Sequence, residues 1–156
     1  MEKDLEMARR IAGTAAERGG RVYFVGGFVR DGVMGRESKD VDIEIHGMTA
    51  DAVRGMLGKI GPWKEMGASF GVFSLRGYTL DIALPRHGGG KGEDADIDPF
   101  MGRKEAERRR DFTMNAMMQD VLTGEIFDDF GGREDIRKRV IRHVDEETFR
   151  RDPLRA

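Results

Sequence analysis

Two aspartates near the N-terminus have the spacing of a metal-binding pair. Asp40 and Asp42 occupy positions i and i+2 in a segment that alternates acidic and aliphatic side chains. If this segment is a strand, both carboxylates project to one face, while Val41 and Ile43 project to the core. Two carboxylates on one face repel each other unless a cation neutralises them, and Mg²⁺ binds such oxygens together with substrate phosphates.

This pair is therefore consistent with nucleotidyl transfer. Two Mg²⁺ ions about 3.5–4 Å apart can activate an attacking hydroxyl and stabilise a leaving pyrophosphate. An edge strand with a solvated polar face has the same Asp-x-Asp pattern, so the assignment depends on the neighbouring motifs.

A glycine turn upstream of the aspartates has the composition of a phosphate-binding turn. Gly26 and Gly27 separate the apolar segment 22–25 from a segment with helical periodicity. Glycines at such a junction allow backbone N–H groups to face a phosphate at the helix N-terminus. Arg30 can reach the same triphosphate, and Asp31 either orients Arg30 or balances its charge. An ordinary tight turn has the same sequence.

Two further segments supply polar residues suited to the same site. Asp81 lies in a strand-like segment in which one acid alternates with aliphatic residues. On a strand beside Asp42 it would complete an acidic cluster, and elsewhere it would be an exposed strand acid. In the segment 109–115, Arg110 can contact phosphate or ribose, while Asn115 can hydrogen-bond a ribose or another loop. Asp111 in the same segment can cap the residues that follow it.

The elements that position these residues alternate between helical and strand periodicity. Apolar residues at helical spacing predict a helix over residues 2–18, and Thr49 is the predicted N-cap of a helix that ends near residue 57. The glycine-rich segment 87–97 is a predicted loop. Further helices are predicted over residues 28–34, 103–118, 133–138 and from 146 onwards, and strands over residues 22–25, 40–45, 71–75, 78–84, 117–121 and 125–127. This alternation predicts an α/β (α+β) fold with one small mixed sheet flanked by helices.

Composition limits the class of protein. The chain has 156 residues, a formal net charge of −2 and no cysteine. The lack of cysteine excludes disulfides and cysteine-based zinc sites, and it suits a cytoplasmic location. The sequence contains no run of 18 apolar residues, so we expect no membrane partner. The histidines His46, His87 and His143 have no metal-binding spacing and are expected at the surface or partly buried.

Four motifs together resemble those of a known family. They are Gly26-Gly-Phe-Val-Arg-Asp31, Lys39-Asp-Val-Asp42, Arg109-Arg-Asp-Phe-Thr-Met-Asn-Ala116 and Asp152-Pro-Leu-Arg155. In their order and spacing the chain resembles the N-terminal head and first neck residues of class II tRNA nucleotidyltransferases. These are the CCA-adding enzymes and the related bacterial poly(A) polymerases. The resemblance implies a polymerase β-like nucleotidyltransferase head in residues 1–145 and the start of a helical neck in residues 146–156.

The resemblance implies a role for each matching residue. Asp40 and Asp42 match the two metal-binding aspartates of the family, and Asp81 lies where the family has a third catalytic acid. The residues implied to bind the nucleotide are Gly26, Gly27, Arg30, Arg110, Asn115, Asp152 and Arg155. The implied cofactor is Mg²⁺, as two ions, and the implied substrates are CTP and ATP.

The neck motif of the family selects the incoming base without a nucleic-acid template. Asp152 and Arg155 match its aspartate and arginine, and such a pair can accept from an exocyclic amine and donate to ring acceptors. Arg151 departs from the motif, which usually begins with glutamate. The family continues into a neck, body and tail that hold tRNA, so we expect this chain, which ends at Ala156, to be truncated. It would contact the tRNA 3′ end mainly through regions that it lacks.

The sequence thus predicts a template-independent RNA nucleotidyltransferase head that adds CMP and AMP to a tRNA 3′ end. A poly(A) polymerase or A-adding enzyme of the same family has the same head motifs. A nucleotide-binding fragment that is inactive without neck, body and tail is a further alternative. An interaction domain with vestigial motifs is disfavoured, because all three acids are present. The oligomeric state is unknown from sequence.

Overall fold

The computed structural model of the protein describes residues 1–66, 71–87 and 97–144. Within these ranges the strands are β1 (Arg21–Val25), β2 (Val41–His46), β3 (Trp63–Glu65), β4 (Val72–Leu75), β5 (Leu80–Ala83), β6 (Met118–Asp120) and β7 (Ile126–Phe127). The helices are α1 (Glu2–Ala16), α2 (Gly27–Val33), α3 (Ala50–Ile60), α4 (Arg103–Arg108), α5 (Thr113–Ala116) and α6 (Gly132–Lys138). None of these helices is long and apolar enough to cross a bilayer.

All seven strands join one mixed sheet in the order β3-β4-β5-β2-β1-β6-β7. The central pair, β2 and β5, is parallel, and the other neighbouring pairs are antiparallel. A parallel pair needs a long crossover, and here α3, β3 and β4 form it. The prediction of an α/β fold with a small mixed sheet is therefore confirmed.

The sheet is covered on both faces, but by different kinds of side chain. On one face the main core includes α1 and α3, and the β2 residues Val41, Ile43 and Ile45 are fully buried there. Burial of each such side chain stabilises the fold by about 1.5–3 kcal/mol. On the other face a smaller apolar cluster includes Tyr23 and Met101. The second face also carries the polar residues of β2, so it is the face on which a site can form.

Most predicted elements near the site are present with shifted ends. The helix predicted over residues 28–34 is α2, and the strand predicted over residues 40–45 is β2. Thr49 caps α3 as predicted, since its hydroxyl accepts a hydrogen bond from the Ala52 N–H at 3.2 Å. The predicted hairpins over residues 71–84 and 117–127 are β4–β5 and β6–β7.

Residues 103–118, which the sequence predicts to be largely helical, form two short helices with a break between them. The chain forms α4, leaves the helical conformation, and then forms the one-turn helix α5. Phe112 has extended backbone, and its N–H donates to the Asp111 carboxylate at 2.7 Å. Backbone hydrogen bonds to Arg142 and Val144 occupy the same turn. These tertiary contacts outweigh the local helical pattern, because they satisfy the backbone groups that a continuous helix would have paired.

Strand β3 was not predicted. The strand pairs with β4, and Trp63 contacts the buried Phe73 in an edge-to-face arrangement at 5.8 Å. The greater part of the predicted loop over residues 87–97 lies outside the described residues. The helix predicted from residue 146 and the domain boundary at 145 also lie outside them.

Candidate active site

The parallel pairing of β2 and β5 brings two of the predicted acids side by side. Asp42 and Asp81 are register partners on adjacent strands. The pKa of Asp42 is raised to about 6, chiefly by burial and also by the neighbouring carboxylates of Asp81 and Asp40, while the charge of Arg110 opposes this rise. The protonated form of Asp42 also hydrogen-bonds Asp81. Joint ionisation of these carboxylates therefore costs free energy, and a bound cation would offset that cost.

Asp40 lies one residue before β2 and, together with Asp42, lines a cavity of about 360 Å³. We call it the glycine-turn cavity, because Gly27 and Arg30 also line it. Four residues with predicted roles therefore line one cavity. Asp81 does not line it, but it adjoins Asp42 on the neighbouring strand.

The turn from β1 into α2 depends on glycine. Gly26 has φ +66° and ψ −138°, a conformation that side chains with a Cβ rarely adopt. A Cβ on Gly27 would lie 3.1 Å from Nη2 of Arg30, so the absence of a side chain there lets Arg30 fold over the turn. The first amides of a helix have no partner within the helix, and the first two residues of α2, Gly27 and Phe28, line the cavity.

Arg30 is held by two partners that the sequence had singled out. Its Nε donates to Asp31 Oδ1 at 3.1 Å, and its Nη1 donates to Asn115 Oδ1 at 3.0 Å. Asn115 Nδ2 donates in turn to Asp111 Oδ1 at 3.3 Å. Asn115 therefore contacts helix α2 and its own segment, and it can affect a nucleotide through Arg30. Its hydrogen bond to ribose stays a prediction.

Arg110 belongs to a network that sequence reasoning did not detect. Its Nη2 donates to Glu44 Oε2 at 3.0 Å, and Glu44 Oε1 lies 2.7 Å from His46 Nε2. His46 Nδ1 donates to the Met101 carbonyl oxygen at 3.2 Å. Burial alone would raise the pKa of Glu44, but Arg110 and His46 outweigh it and hold that pKa below its usual range.

His46 is buried, so the expectation of a surface or partly buried histidine is wrong at this position. Strand alternation puts Glu44 and His46 on the same face as Asp42, and this was the available signal. The local pattern does not show whether this face is solvated beyond the aspartates. In the structure, Met101 and α4 cover it.

The donor set of the site fits Mg²⁺. Asp40, Asp42 and Asp81 offer only carboxylate oxygens, which are the ligands that Mg²⁺ prefers. Across residues 1–66, 71–87 and 97–144, no three histidine or acidic side chains stand close enough together to hold one ion. An ion at Asp42 would thus need further oxygens from water or phosphate, the usual arrangement for Mg²⁺ at a nucleotide site. Asp152 and Arg155 lie outside the described residues, and their role stays a prediction.

Comparison with known proteins places this arrangement in a family. A family profile described as the poly A polymerase head domain matches residues 22–142. The chain belongs to the poly A polymerase head domain family. The match includes every predicted site residue from Gly26 to Asn115.

One relative of this head domain is the multifunctional CCA protein of Haemophilus ducreyi, which is 36% identical over 141 residues. That alignment covers 87% of this chain and 33% of the relative. The corresponding protein of Xanthomonas campestris is 37% identical, with the same coverage. The head domain thus spans about a third of the length of the curated relatives that it matches.

Solved structures of similar fold include CCA-adding enzymes with bound substrates. The Bacillus stearothermophilus enzyme in complex with CTP has a TM-score of 0.79 and 34% identity, and the match covers 99% of this chain and 38% of that one. The Thermotoga maritima enzyme in complex with tRNA has a TM-score of 0.73 and 30% identity, with coverage of 96% and 35%. The fold is therefore that of the nucleotidyltransferase head of CCA-adding enzymes.

Proposed function

We propose that this head domain belongs to a template-independent nucleotidyltransferase that adds CMP and AMP from CTP and ATP to the 3′ end of tRNA. The observation that carries the proposal is the juxtaposition of Asp42 and Asp81 with the glycine-turn cavity. A triphosphate in that cavity would have its α-phosphate beside the two acids. The CCA-adding relatives with CTP and with tRNA support the choice of substrates.

The proposed reaction is an in-line displacement at phosphorus. The 3′-hydroxyl oxygen of the RNA forms a bond to the α-phosphorus, and the bond from that phosphorus to the bridging oxygen of the β-phosphate breaks. Pyrophosphate leaves, and the hydroxyl proton passes to solvent. No side-chain nucleophile is needed, so catalysis depends on position and on charge neutralisation.

Different residues of the chain would bind the metal ions and the triphosphate. Asp40 and Asp42 would hold Mg²⁺, with Asp81 as the third acid. When bound, Mg²⁺ supplies Lewis-acid stabilisation of the phosphate oxygens and lowers the pKa of a coordinated hydroxyl. Gly26, Gly27 and Arg30 would bind the triphosphate through amides and a guanidinium. Arg110, fixed by Glu44, would add positive charge beside Asp42.

Addition of AMP alone is the second candidate, because the matching family profile describes the head of poly A polymerase. The motifs of the head are shared by both activities. Asp152 and Arg155, which are proposed to bind the incoming base, do not distinguish the two activities.

Incubation of the whole enzyme that contains this head domain with tRNA that lacks its terminal CCA, with CTP and ATP supplied separately and together, tests the proposal. We expect CTP alone to add cytidines and both nucleotides to complete CCA, which sequencing gels resolve by length. Extension by ATP alone would favour the second candidate. Asp42→Ala should abolish addition, whereas Glu125→Gln, which removes an exposed carboxylate from the β6–β7 turn, should not. Binding of CTP without any transfer would contradict the transferase assignment and leave a nucleotide-binding module.

A further inference from the structure

A second cavity lies on the opposite side of Asp42 from the glycine-turn cavity. We call it the arginine cavity; it has a volume of about 220 Å³, and its lining includes Glu44, Ala83, Arg86, Met101, Arg109 and Arg110. Glu44 and Ala83 are register partners on β2 and β5, just as Asp42 and Asp81 are. The arginine cavity therefore begins about 7 Å further along the same face of the same two strands.

The two cavities flank the acids in the direction of the strands. The glycine-turn cavity is lined by residues 37–40, which precede β2, and by the turn that follows β1. The arginine cavity is lined by residues nearer the C-terminal ends of β2 and β5. Asp42 and Asp81 lie between them. A ligand in one cavity and a ligand in the other would thus meet at the acids from opposite directions.

The charge of the arginine cavity favours an anion. Three arginines and one carboxylate line it, and that carboxylate, Glu44, already pairs with Arg110 and contacts His46. Arg109 is oriented by an ion pair with Glu105 at 3.2 Å, on the preceding turn of α4. Pro85, Met101 and Ala106 provide apolar wall beside these charges. A phosphate with an attached ribose matches both the charge and the wall.

We propose that the arginine cavity binds the last phosphodiester of the RNA strand that receives the nucleotide. This inference rests on the proposed function. In an in-line displacement the attacking oxygen and the leaving group lie on opposite sides of phosphorus. If the triphosphate occupies the glycine-turn cavity, the RNA end approaches from the arginine cavity, and Arg86 and Arg109 are its phosphate ligands. Arg110, between the two cavities, faces both substrates.

The test is an NMR titration of the arginine Nε–Hε signals with two probes used separately. Cytidylyl-(3′→5′)-cytidine contains one phosphodiester and no triphosphate. CTP, supplied with Mg²⁺, contains a triphosphate and no phosphodiester. We expect the dinucleotide to shift the signals of Arg86 and Arg109, and CTP to shift mainly that of Arg30. Cytidine without phosphate should shift none of the three. The method detects binding even at millimolar dissociation constants, so it does not require tight binding by the chain.

Variants sharpen the test. Arg86→Ala and Arg109→Ala should each weaken dinucleotide binding about tenfold, measured at the remaining arginine, with CTP binding within about twofold of wild type. Arg108→Ala is the matched control, because Arg108 pairs with the same Glu105 from α4 but does not line the cavity; its dinucleotide binding should be unchanged.

Two outcomes would overturn the inference: a dinucleotide that leaves Arg86 and Arg109 unshifted, or CTP that shifts them as strongly as Arg30. The proposed function would fail separately, if CTP shifted no arginine in the presence of Mg²⁺ while the dinucleotide still bound.

Discussion

At the scale of single residues, Asp42 is the position where function and stability conflict. Its carboxyl is partly withdrawn from water and lies beside Asp81, with Asp40 also near, so ionisation is opposed in the folded protein. Groups with such raised pKa values are typical of sites that bind a cation or transfer a proton. The conflict has a measurable consequence for the stability of the protein in the absence of metal.

We predict that Asp42→Asn stabilises the metal-free protein above pH about 6. The folded pKa is about 6, against 3.8 for an ordinary aspartate, so the protonated carboxyl is favoured in the fold. The associated stability is present below pH about 4 and is lost as the pH rises through about 6. Asparagine does not ionise, and the gain at pH about 7.5 should be about 1–2 kcal/mol after allowance for solvent screening.

Urea unfolding at pH about 4 and about 7.5 measures this gain, with Glu125→Gln as the control for loss of one exposed negative charge. Millimolar Mg²⁺ should reduce the difference at the higher pH, because a bound cation removes the repulsion in the wild type. An Asn variant whose advantage is equal at both pH values would refute the coupling of these carboxylates.

Residue types and spacing made Asp40, Asp42, Arg30 and Asn115 candidate site residues. In the structure the first three line the glycine-turn cavity, and Asn115 hydrogen-bonds Arg30. The pairing of Glu44 with Arg110 was not predictable in the same way. These residues are 66 positions apart, and their contact depends on how the segment after α4 folds back over β2. Local pattern contains no information on such a contact.

At the scale of elements, the turn between β1 and α2 combines two glycines with different tasks. Gly26 supplies a backbone conformation that other residues rarely adopt, while a Cβ there would meet no neighbouring atom within 4 Å. Gly27 has no positive φ, but a Cβ there would meet the Arg30 guanidinium. One glycine therefore serves the fold, and the other serves the position of Arg30.

We predict that alanine affects stability at position 26 and nucleotide binding at position 27. Gly26→Ala should lower the free energy of unfolding by about 1–3 kcal/mol, because the backbone is strained. Gly27→Ala should change it by less than about 0.5 kcal/mol, since Arg30 can move aside, but should weaken CTP binding about tenfold. Thermal unfolding and calorimetric CTP titration of both variants separate the two effects. A Gly27→Ala variant with unchanged CTP affinity would exclude the proposed contact of Arg30 with the triphosphate.

The elements themselves were predicted where the local pattern agreed with the tertiary environment. The helix α3 with its Thr49 cap and the two hairpins are of this kind. The break between the two helices within residues 103–118 was not predicted, because backbone hydrogen bonds to the distant residues 142–144 interrupt the helical pattern there. Short edge strands such as β3 escape pattern analysis, because three residues are too few to define a period.

At the scale of the whole molecule, the site depends on one feature of topology, the parallel pairing of β2 with β5. It aligns Asp42 with Asp81 and also aligns Glu44 with Ala83. The two acids and the arginine cavity therefore lie one after the other along the same face of the sheet. The sequence predicted a strand for each of the two segments but did not predict that these strands are neighbours in the sheet. A carboxylate on each strand was the clue, and the family resemblance supplied the pairing.

The most direct test of the proposed nucleotide and metal site is anomalous diffraction from a crystal of the protein grown with Mn²⁺ and CTP. Mn²⁺ accepts the same oxygen ligands as Mg²⁺ and identifies its own position. We predict an anomalous peak within about 2.0–2.5 Å of carboxylate oxygens of Asp40 and Asp42, with the triphosphate against Gly27 and Arg30. Ordered CTP elsewhere on the protein, or a manganese peak remote from Asp42, would contradict the assignment of this cavity as the nucleotide site.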